Sequence, residues 1–129
     1  MSLQLAAISY LVRDYDEAIA WFTQVLGFKL IEDTALAEGK RWVRVAPPDG
    51  GSDVLLARAQ GHAQLDAIGR AAAGRVAFFL HTDDFAASQA ALAAHGVRFC
   101  EAPRREAYGT VAVFEDLYGN RWDLIEPKR

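Results

Sequence analysis

Two kinds of hydrophobic periodicity alternate along the chain. Over Gln4–Val12 the period is two: Ile8, Tyr10 and Val12 fall on one side, Ala7, Ser9 and Leu11 on the other, as in a strand. Asp14 then stands where a helix N-cap belongs. Ala18, Ile19, Phe22, Val25 and Leu26 recur at helical spacing through a predicted helix over Tyr15–Leu26, which Gly27 stops. Strands are predicted over Phe28–Asp33, Lys40–Ala46 and Asp53–Arg58, the last two joined by the turn PPDGGS. Ala59–Gly74 lacks alternation and reads as a connector with a helical turn near Ala63–Arg70, either a plain crossover or a lid. Arg75–His81 is again a strand. Asp83 or Asp84 caps a helix running to about His95, before Gly96, and Val97–Glu101 is a strand followed by the polar loop Ala102–Ala107. Val111–Phe114 and Trp122–Ile125 flank a polar turn containing Gly119 and Asn120, two residues that tolerate positive φ, and form a closing hairpin. In its returning strand Arg121, Asp123 and Ile125 share one face, and Trp122 and Leu124 the other.

The order of elements repeats. A shift of 68 residues carries Asp123 onto Leu55, Val111–Phe114 onto Val43–Ala46 and Arg75–Leu80 onto Ala7–Val12. The chain therefore reads as an α+β protein of two tandem βαβββ modules: module one over about 3–59, a connector over 60–73, and module two over about 74–127. One module alone does not cover its own sheet, so the expectation is a single domain over 1–129.

Composition narrows the function classes. A 52% hydrophobic and 24% charged chain is ordinary for a globular protein, and a net charge of −3 offers no footprint for nucleic acid or anionic lipid. No apolar run reaches the length of a bilayer span, and the N-terminus lacks the basic region of a signal peptide. The single Cys100 excludes an internal disulfide and fits a reducing cytoplasm.

Candidate chemistry follows from the repeat, which places Ala7, Leu55, Arg75 and Asp123 at matching inward positions. Of these only Asp123 can ligate a metal, and one carboxylate does not hold a catalytic divalent ion, so no cofactor is expected. Arg75 and Asp123 are expected within reach of each other. They form either an anion-binding guanidinium oriented by a carboxylate or a structural ion pair. Ser9, Leu11, Ala77, Phe79, Arg121 and Ile125 are expected on the same face. Ile8, Tyr10, Val12, Val76, Phe78, Leu80, Trp122 and Leu124 are expected beneath the helices. His81 follows the alternation of Phe79 and is either a rim base or a surface residue, while His62 and His95 read as structural. Trp42, Phe79, Tyr108 and Phe114 are either a stacking surface for a flat organic molecule or filling between sheets. No phosphate loop, nucleophile elbow or Ser–His–Asp pattern is present.

The stretches LVRDYDEAIAWFTQVLGF, FFLHTDDFAASQAALAAHGVRF and FEDLYGNRWDLIEP together resemble the vicinal oxygen chelate superfamily, which includes glyoxalase I, extradiol dioxygenases, and fosfomycin- and bleomycin-resistance proteins. The resemblance spans essentially the whole chain. It implies paired βαβββ modules in a curled mixed sheet with a cup, often completed as a homodimer. It also implies metal ligands at the positions matched by Ala7, Leu55, Arg75 and Asp123, where this chain keeps one carboxylate. The expected function is binding of a small, partly aromatic or anionic ligand in the cup, with Arg75, Asp123, Phe79, His81, Ser9, Trp42, Tyr108 and Arg121 as candidate contacts. The alternative is a lyase or dioxygenase-type enzyme with a divergent site.

Overall fold

The computed structural model describes every residue from Met1 to Arg129, and the chain divides into two units, Met1–Ile68 and Gly69–Arg129. Each unit is built from local signals already present in the sequence.

In the first unit, β1 (Ala7–Val12) leads into α1 (Tyr15–Gln24), followed by β2 (Lys29–Ala35), β3 (Arg41–Ala46), β4 (Asp53–Arg58) and the short α2 (Gly61–Ala67). The Asp14 carboxylate accepts from the Glu17 N–H at 2.8 Å and so satisfies one of the donors a helix start leaves open. The sheet order is β1-β4-β3-β2, with β1 and β4 parallel and the other pairs antiparallel. Tyr15, Ala18 and Phe22 form the buried side of α1, and Tyr10, Val12, Val43, Val45 and Leu56 supply the buried side chains of the sheet. Tyr10 and Phe22 meet edge to face at 5.1 Å, and Phe28 packs on Phe22 at 5.4 Å.

In the second unit, β5 (Val76–His81), α3 (Phe85–Ala94), β6 (Arg104–Glu106), β7 (Gly109–Glu115) and β8 (Arg121–Pro127) give the order β5-β8-β7-β6, with β5 and β8 parallel. Asp84, not Asp83, caps α3, its carboxylate accepting from the Ala87 N–H at 3.0 Å. Glu126 accepts from the Phe85 N–H at 2.8 Å, which ties the start of α3 to β8. Phe78, Trp122 and Phe114 lie side by side across three strands: Phe114 and Trp122 stack at 5.8 Å, and Phe78 lies 4.7 Å from Trp122.

Both βαβββ modules are thus as expected, each as a four-stranded mixed sheet, but three assignments change. The sixth strand is Arg104–Glu106 and not Val97–Glu101. Val97–Glu101 meets β7 through a Phe99–Phe114 bridge, a Cys100 N–H to Val113 carbonyl bond and a long Glu115 N–H to Arg98 carbonyl bond of 3.4 Å, without forming a regular ladder. There the Val113 N–H donates to the Glu101 side chain at 3.0 Å, so a carboxylate replaces the backbone acceptor and regular pairing starts only further on. The connector helix begins at Gly61, earlier than the expected Ala63, and ends before Gly69. Gly69 has φ +78 and lies so close to the Tyr118 carbonyl that an added Cβ atom would stand 2.1 Å from its oxygen, so only glycine fits. Finally, Asn120 does not adopt positive φ; Gly119 alone does, at φ +90. Asn120 contributes through its side chain, whose Oδ1 accepts from the Ala71 N–H at 3.0 Å.

The hairpin turn has an organiser that the sequence pattern did not mark. Asp116 is 8% exposed. Its Oδ1 accepts from the N–H groups of Tyr118 and Asn120 at 2.9 and 3.0 Å, and its Oδ2 accepts from the Trp122 indole N–H at 2.9 Å. One carboxylate therefore closes the turn and fixes the largest aromatic of the sheet.

Candidate functional site

The second sheet has one side facing α3 and one facing away. β-Strand alternation puts Leu124, Ala112, Trp122 and Phe114 on the first side, where all four are buried. On the second side Asp123 lies between Phe79 of β5 and Val113 of β7 in one cross-strand row. The next row holds His81, Ile125, Val111 and Arg104. Arg121, opposite Glu115 and Val76, holds the row on the other flank.

Asp123 is the unusual group in this array. It is half-buried, and its Oδ1 is shut off from solvent with no hydrogen-bond partner. A buried polar atom left in that state costs about 1–3 kcal/mol. Burial pushes the carboxyl above the ordinary aspartate range. The positive charge of Arg104 opposes that shift, and the negative charge of Glu101 adds to it. Arg104 is already engaged: its Nε donates to Glu101 Oε1 at 2.9 Å, and its Nη1 lies 3.6 Å from Glu106. That bond to Arg104 holds the Glu101 carboxyl below its usual range, outweighing burial, and the Val113 N–H adds to the effect. The Arg104 guanidinium is held above its usual range chiefly by Glu101, with the Tyr108 hydroxyl as a further partner.

Phe79 adds a second uncommon feature, a phenylalanine ring left 63% exposed in the middle of a strand and directly opposite Asp123. Together they offer a flat apolar contact beside a carboxyl group in want of a partner.

Phe78 and Phe79 take the sides expected of them, and so do Tyr10, Val12, Trp122 and Leu124, all four of them buried. The expected Arg75–Asp123 pair does not form. Arg75 lies outside β5, its N–H donating to the Ala72 carbonyl in a turn. Its side chain is exposed and makes no salt bridge, and Arg104 is the cation that acts on Asp123. The cause is register. Ser9 stands opposite Leu55 and Phe79 opposite Asp123, so Ser9 and Phe79 are the equivalent residues of the two first strands, in place of Ala7 and Arg75. A register irregularity between Val76 and Phe78 also brings Val76, expected beneath the helix, opposite Arg121. Phe114, one of the four aromatics read as a possible stacking surface, is fully buried in the row beneath α3. Arg75→Ala is accordingly expected to leave stability within about 0.5 kcal/mol of the parent protein, as for other isolated surface changes. Urea denaturation checks this, and a loss of several kcal/mol would restore the ion pair.

The remaining expected contacts are divided between the units. His81 and Arg121 are exposed in the second, and Tyr108, at the start of the β7 hairpin arm, is 51% exposed. Ser9 and Trp42 belong to the first, in β1 and β3, with Trp42 opposite Thr34 and 41% exposed. There the row that contains Ser9 and Leu55 also contains Arg44 and Glu32. Arg44 donates to Glu32 at 3.1 Å and to Asp53, so this guanidinium is paired with two carboxylates. Sequence reasoning passed over Arg44, Glu101 and Arg104 because each was a charge in a strand or loop with no motif. The spacing of Glu101 and Arg104, three residues apart, was the one local sign of their pairing.

No group of three or more His, Cys, Asp and Glu side chains is placed to hold a metal ion. Glu101, the carboxylate acting on Asp123, is committed to Arg104 and the Val113 N–H.

A family model described as the Glyoxalase/Bleomycin resistance protein/Dioxygenase superfamily matches residues 4–124. An uncharacterized protein of Shewanella frigidimarina (strain NCIMB 400) is 50% identical over 128 residues, covering 98% of this chain and 95% of the relative. Among solved structures, UcmS2 is 29% identical with a TM-score of 0.83, covering 98% of this chain and 99% of its own. TnmS3 of Streptomyces sp. CB03234, an antibiotic binding protein, is 26% identical with a TM-score of 0.76, covering 99% of both chains.

Proposed function

Since the chain belongs to the Glyoxalase/Bleomycin resistance protein/Dioxygenase superfamily, we propose that it binds a small, partly aromatic or anionic molecule without a metal ion. The observation that carries this reading is the Phe79–Asp123 row: an exposed ring opposite a carboxyl group with a dry, unpartnered oxygen. A stable fold gains nothing from either feature, whereas a flat ligand lying on that ring gains apolar contact and a polar anchor. Tyr108, His81 and Arg121 supply further contacts in the second unit, Arg121 offering positive charge to an anionic group. Arg75, exposed in the same unit, is a peripheral cation. The description of TnmS3 as an antibiotic binding protein supports the same class of activity. The chemistry of the donor set supports binding over metal-assisted catalysis, because the carboxylate acting on Asp123 is already spent on an arginine and a backbone N–H.

The test is a thermal-shift screen of naphthalene carboxylates, naphthols and naphthylmethylamines, joined to metal analysis of protein purified without chelator. A ligand at a hundred times its dissociation constant raises stability by about 2.7 kcal/mol, a readily measured shift. No shift with any probe, together with one stoichiometric divalent ion, returns the chain to the lyase or dioxygenase-type enzymes.

The working form in this reading is a homodimer in the cytoplasm. Leu30, Ile31, Leu36 and Trp42 lie exposed on or beside the β2 edge of the first sheet, an apolar margin that a second copy covers. Light scattering at micromolar concentration should give twice the 14.2 kDa chain mass, and a monomer mass ends this part of the proposal. No helix is long and apolar enough to cross a membrane, and Cys100 is a free thiol, which suits a reducing compartment.

A further inference from the structure

From the arrangement around Asp123 we infer that this residue selects the ligand by requiring a proton donor: an aromatic molecule must carry an O–H or N–H group to lie on Phe79. The inference deepens the binding reading and rests on it. Of the two carboxyl oxygens one is already dry and unpartnered, while the residue as a whole keeps part of its water contact. The neighbours cannot supply what is missing. Phe79 and Val113 flank Asp123 in its row and have no side-chain donor, and the Arg104 guanidinium is directed to Glu101, with Glu106 close by. Glu101 is itself a carboxylate, and the backbone N–H of Val113 is given to it.

A ligand seated on the Phe79 ring covers Asp123, because the two residues are cross-strand partners on adjacent parallel strands, which lie about 4.8 Å apart. That removes the water the carboxyl group still has. A ligand without a donor then leaves both oxygens dry and unpaired, whereas a ligand with a donor replaces the lost water. Sites that pair a buried polar group with a substrate donor reject the analogue lacking it far more strongly than an apolar pocket rejects a change of size. Hydrogen bonds to charged groups set the expected discrimination at about tenfold or more. The upward displacement of the Asp123 carboxyl by burial agrees with a group held short of solvation.

Isothermal titration near neutral pH with naphthol, naphthylmethylamine and the methyl ether of naphthol tests this on the parent protein, Asp123→Asn and Asp123→Leu. The parent protein is expected to bind at least one of the two donor-bearing probes about tenfold or more tighter than the ether. Which of the two it prefers identifies a neutral hydroxyl or a cationic amine as the natural donor. Asp123→Asn keeps an acceptor and retains part of the preference. Asp123→Leu loses it and gains affinity for the ether. Equal binding of ether and donor probes by the parent protein, or an unchanged preference in Asp123→Leu, overturns the selection role while leaving binding intact. Failure of the parent protein to bind any of the three overturns the binding reading and this inference together.

Discussion

Asp116→Ala is expected to destabilise the protein by about 3–4 kcal/mol, the largest effect of any substitution considered. The carboxylate is 8% exposed and accepts three hydrogen bonds, from the N–H groups of Tyr118 and Asn120 and from the Trp122 indole. Hydrogen bonds to a charged group contribute about 1.5–3 kcal/mol each, and donors left buried carry their full desolvation cost. The turn N–H groups recover part of this when water enters. The indole N–H recovers little, because Trp122 is 3% exposed and lies between Phe78 and Phe114. The damage is thus expected to spread from the turn into the aromatic row beneath α3. Asp116→Asn should be milder, since one amide oxygen serves the turn, but its NH₂ then faces the indole donor. Thermal unfolding followed by near-ultraviolet circular dichroism reads both effects. For a chain of this size the alanine variant should melt about 10 °C lower, and a loss below about 1 kcal/mol would show that the carboxylate is not the organiser of the hairpin.

Asp123→Leu is expected to do the reverse and raise stability, by about 1–2 kcal/mol near neutral pH. Leucine is the residue at the equivalent place in the first unit, where Leu55 stands opposite Ser9 as Asp123 stands opposite Phe79. Replacing a carboxyl group that has an unpartnered dry oxygen by an apolar side chain of similar size removes a desolvation cost and adds apolar contact. The gain stays at the low end of what buried charges yield because Asp123 is only half-buried. The effect carries a pH signature with a fixed sign. The folded-state pKa of Asp123 is raised above the ordinary 3.8, so the folded state favours the protonated form. The stability this contributes is fully present below the unfolded value and is lost as pH rises through the folded value. The advantage of Asp123→Leu over the parent protein is therefore small in acid, grows as pH rises past 3.8, and levels off above the raised value. Glu101, whose pKa is lowered by Arg104, weakens both proteins alike as pH falls, so it largely cancels from the difference. Urea midpoints of the two proteins across this pH interval measure it. An advantage that shrinks toward neutral pH, or a variant less stable than the parent, would contradict the account of Asp123 as an unsatisfied carboxyl group.

The two effects differ in sign for a reason visible in the fold. Asp116 and Asp123 are seven residues apart in one hairpin, and each is a carboxylate among apolar neighbours. Asp116 is surrounded by donors supplied by its own turn. Asp123 lies in mid-sheet, where the strand N–H groups are spent on neighbouring strands and no side chain turns a donor toward it. A group that stabilises nothing in its own fold, beside a ring left in solvent, is the kind of position at which binding is supported at the expense of stability.

Local chemistry in the sequence was enough for the two βαβββ modules, the Asp14 cap, the closing hairpin and the opposite placement of Phe78 and Phe79. Each depends on residues within a few positions of one another: an N-cap acts on the next turn of helix, and strand alternation relates a residue to its second neighbour. The candidate site was legible in part for the same reason, since alternation alone put Phe79 and Asp123 on faces away from Phe78 and Trp122. Their meeting in one row was not legible. The parallel pairs β1–β4 and β5–β8 are joined through long crossovers, and no turn geometry sets their register as it does in a hairpin. Packing of the Tyr10 and Trp122 faces beneath the helices selects it. That choice makes Ser9 and Phe79 the equivalent positions and leaves Arg75 outside the strand. The same holds for Glu101 and Arg104. Their mutual bond is local, but their influence on Asp123 exists only because β7 lies between β6 and β8 and brings a loop charge across the sheet. The orphaned oxygen is likewise a property of the tertiary structure, because whether a carboxyl group finds a donor depends on every segment folded around it, whereas its place on a strand face depends only on its neighbours in the chain.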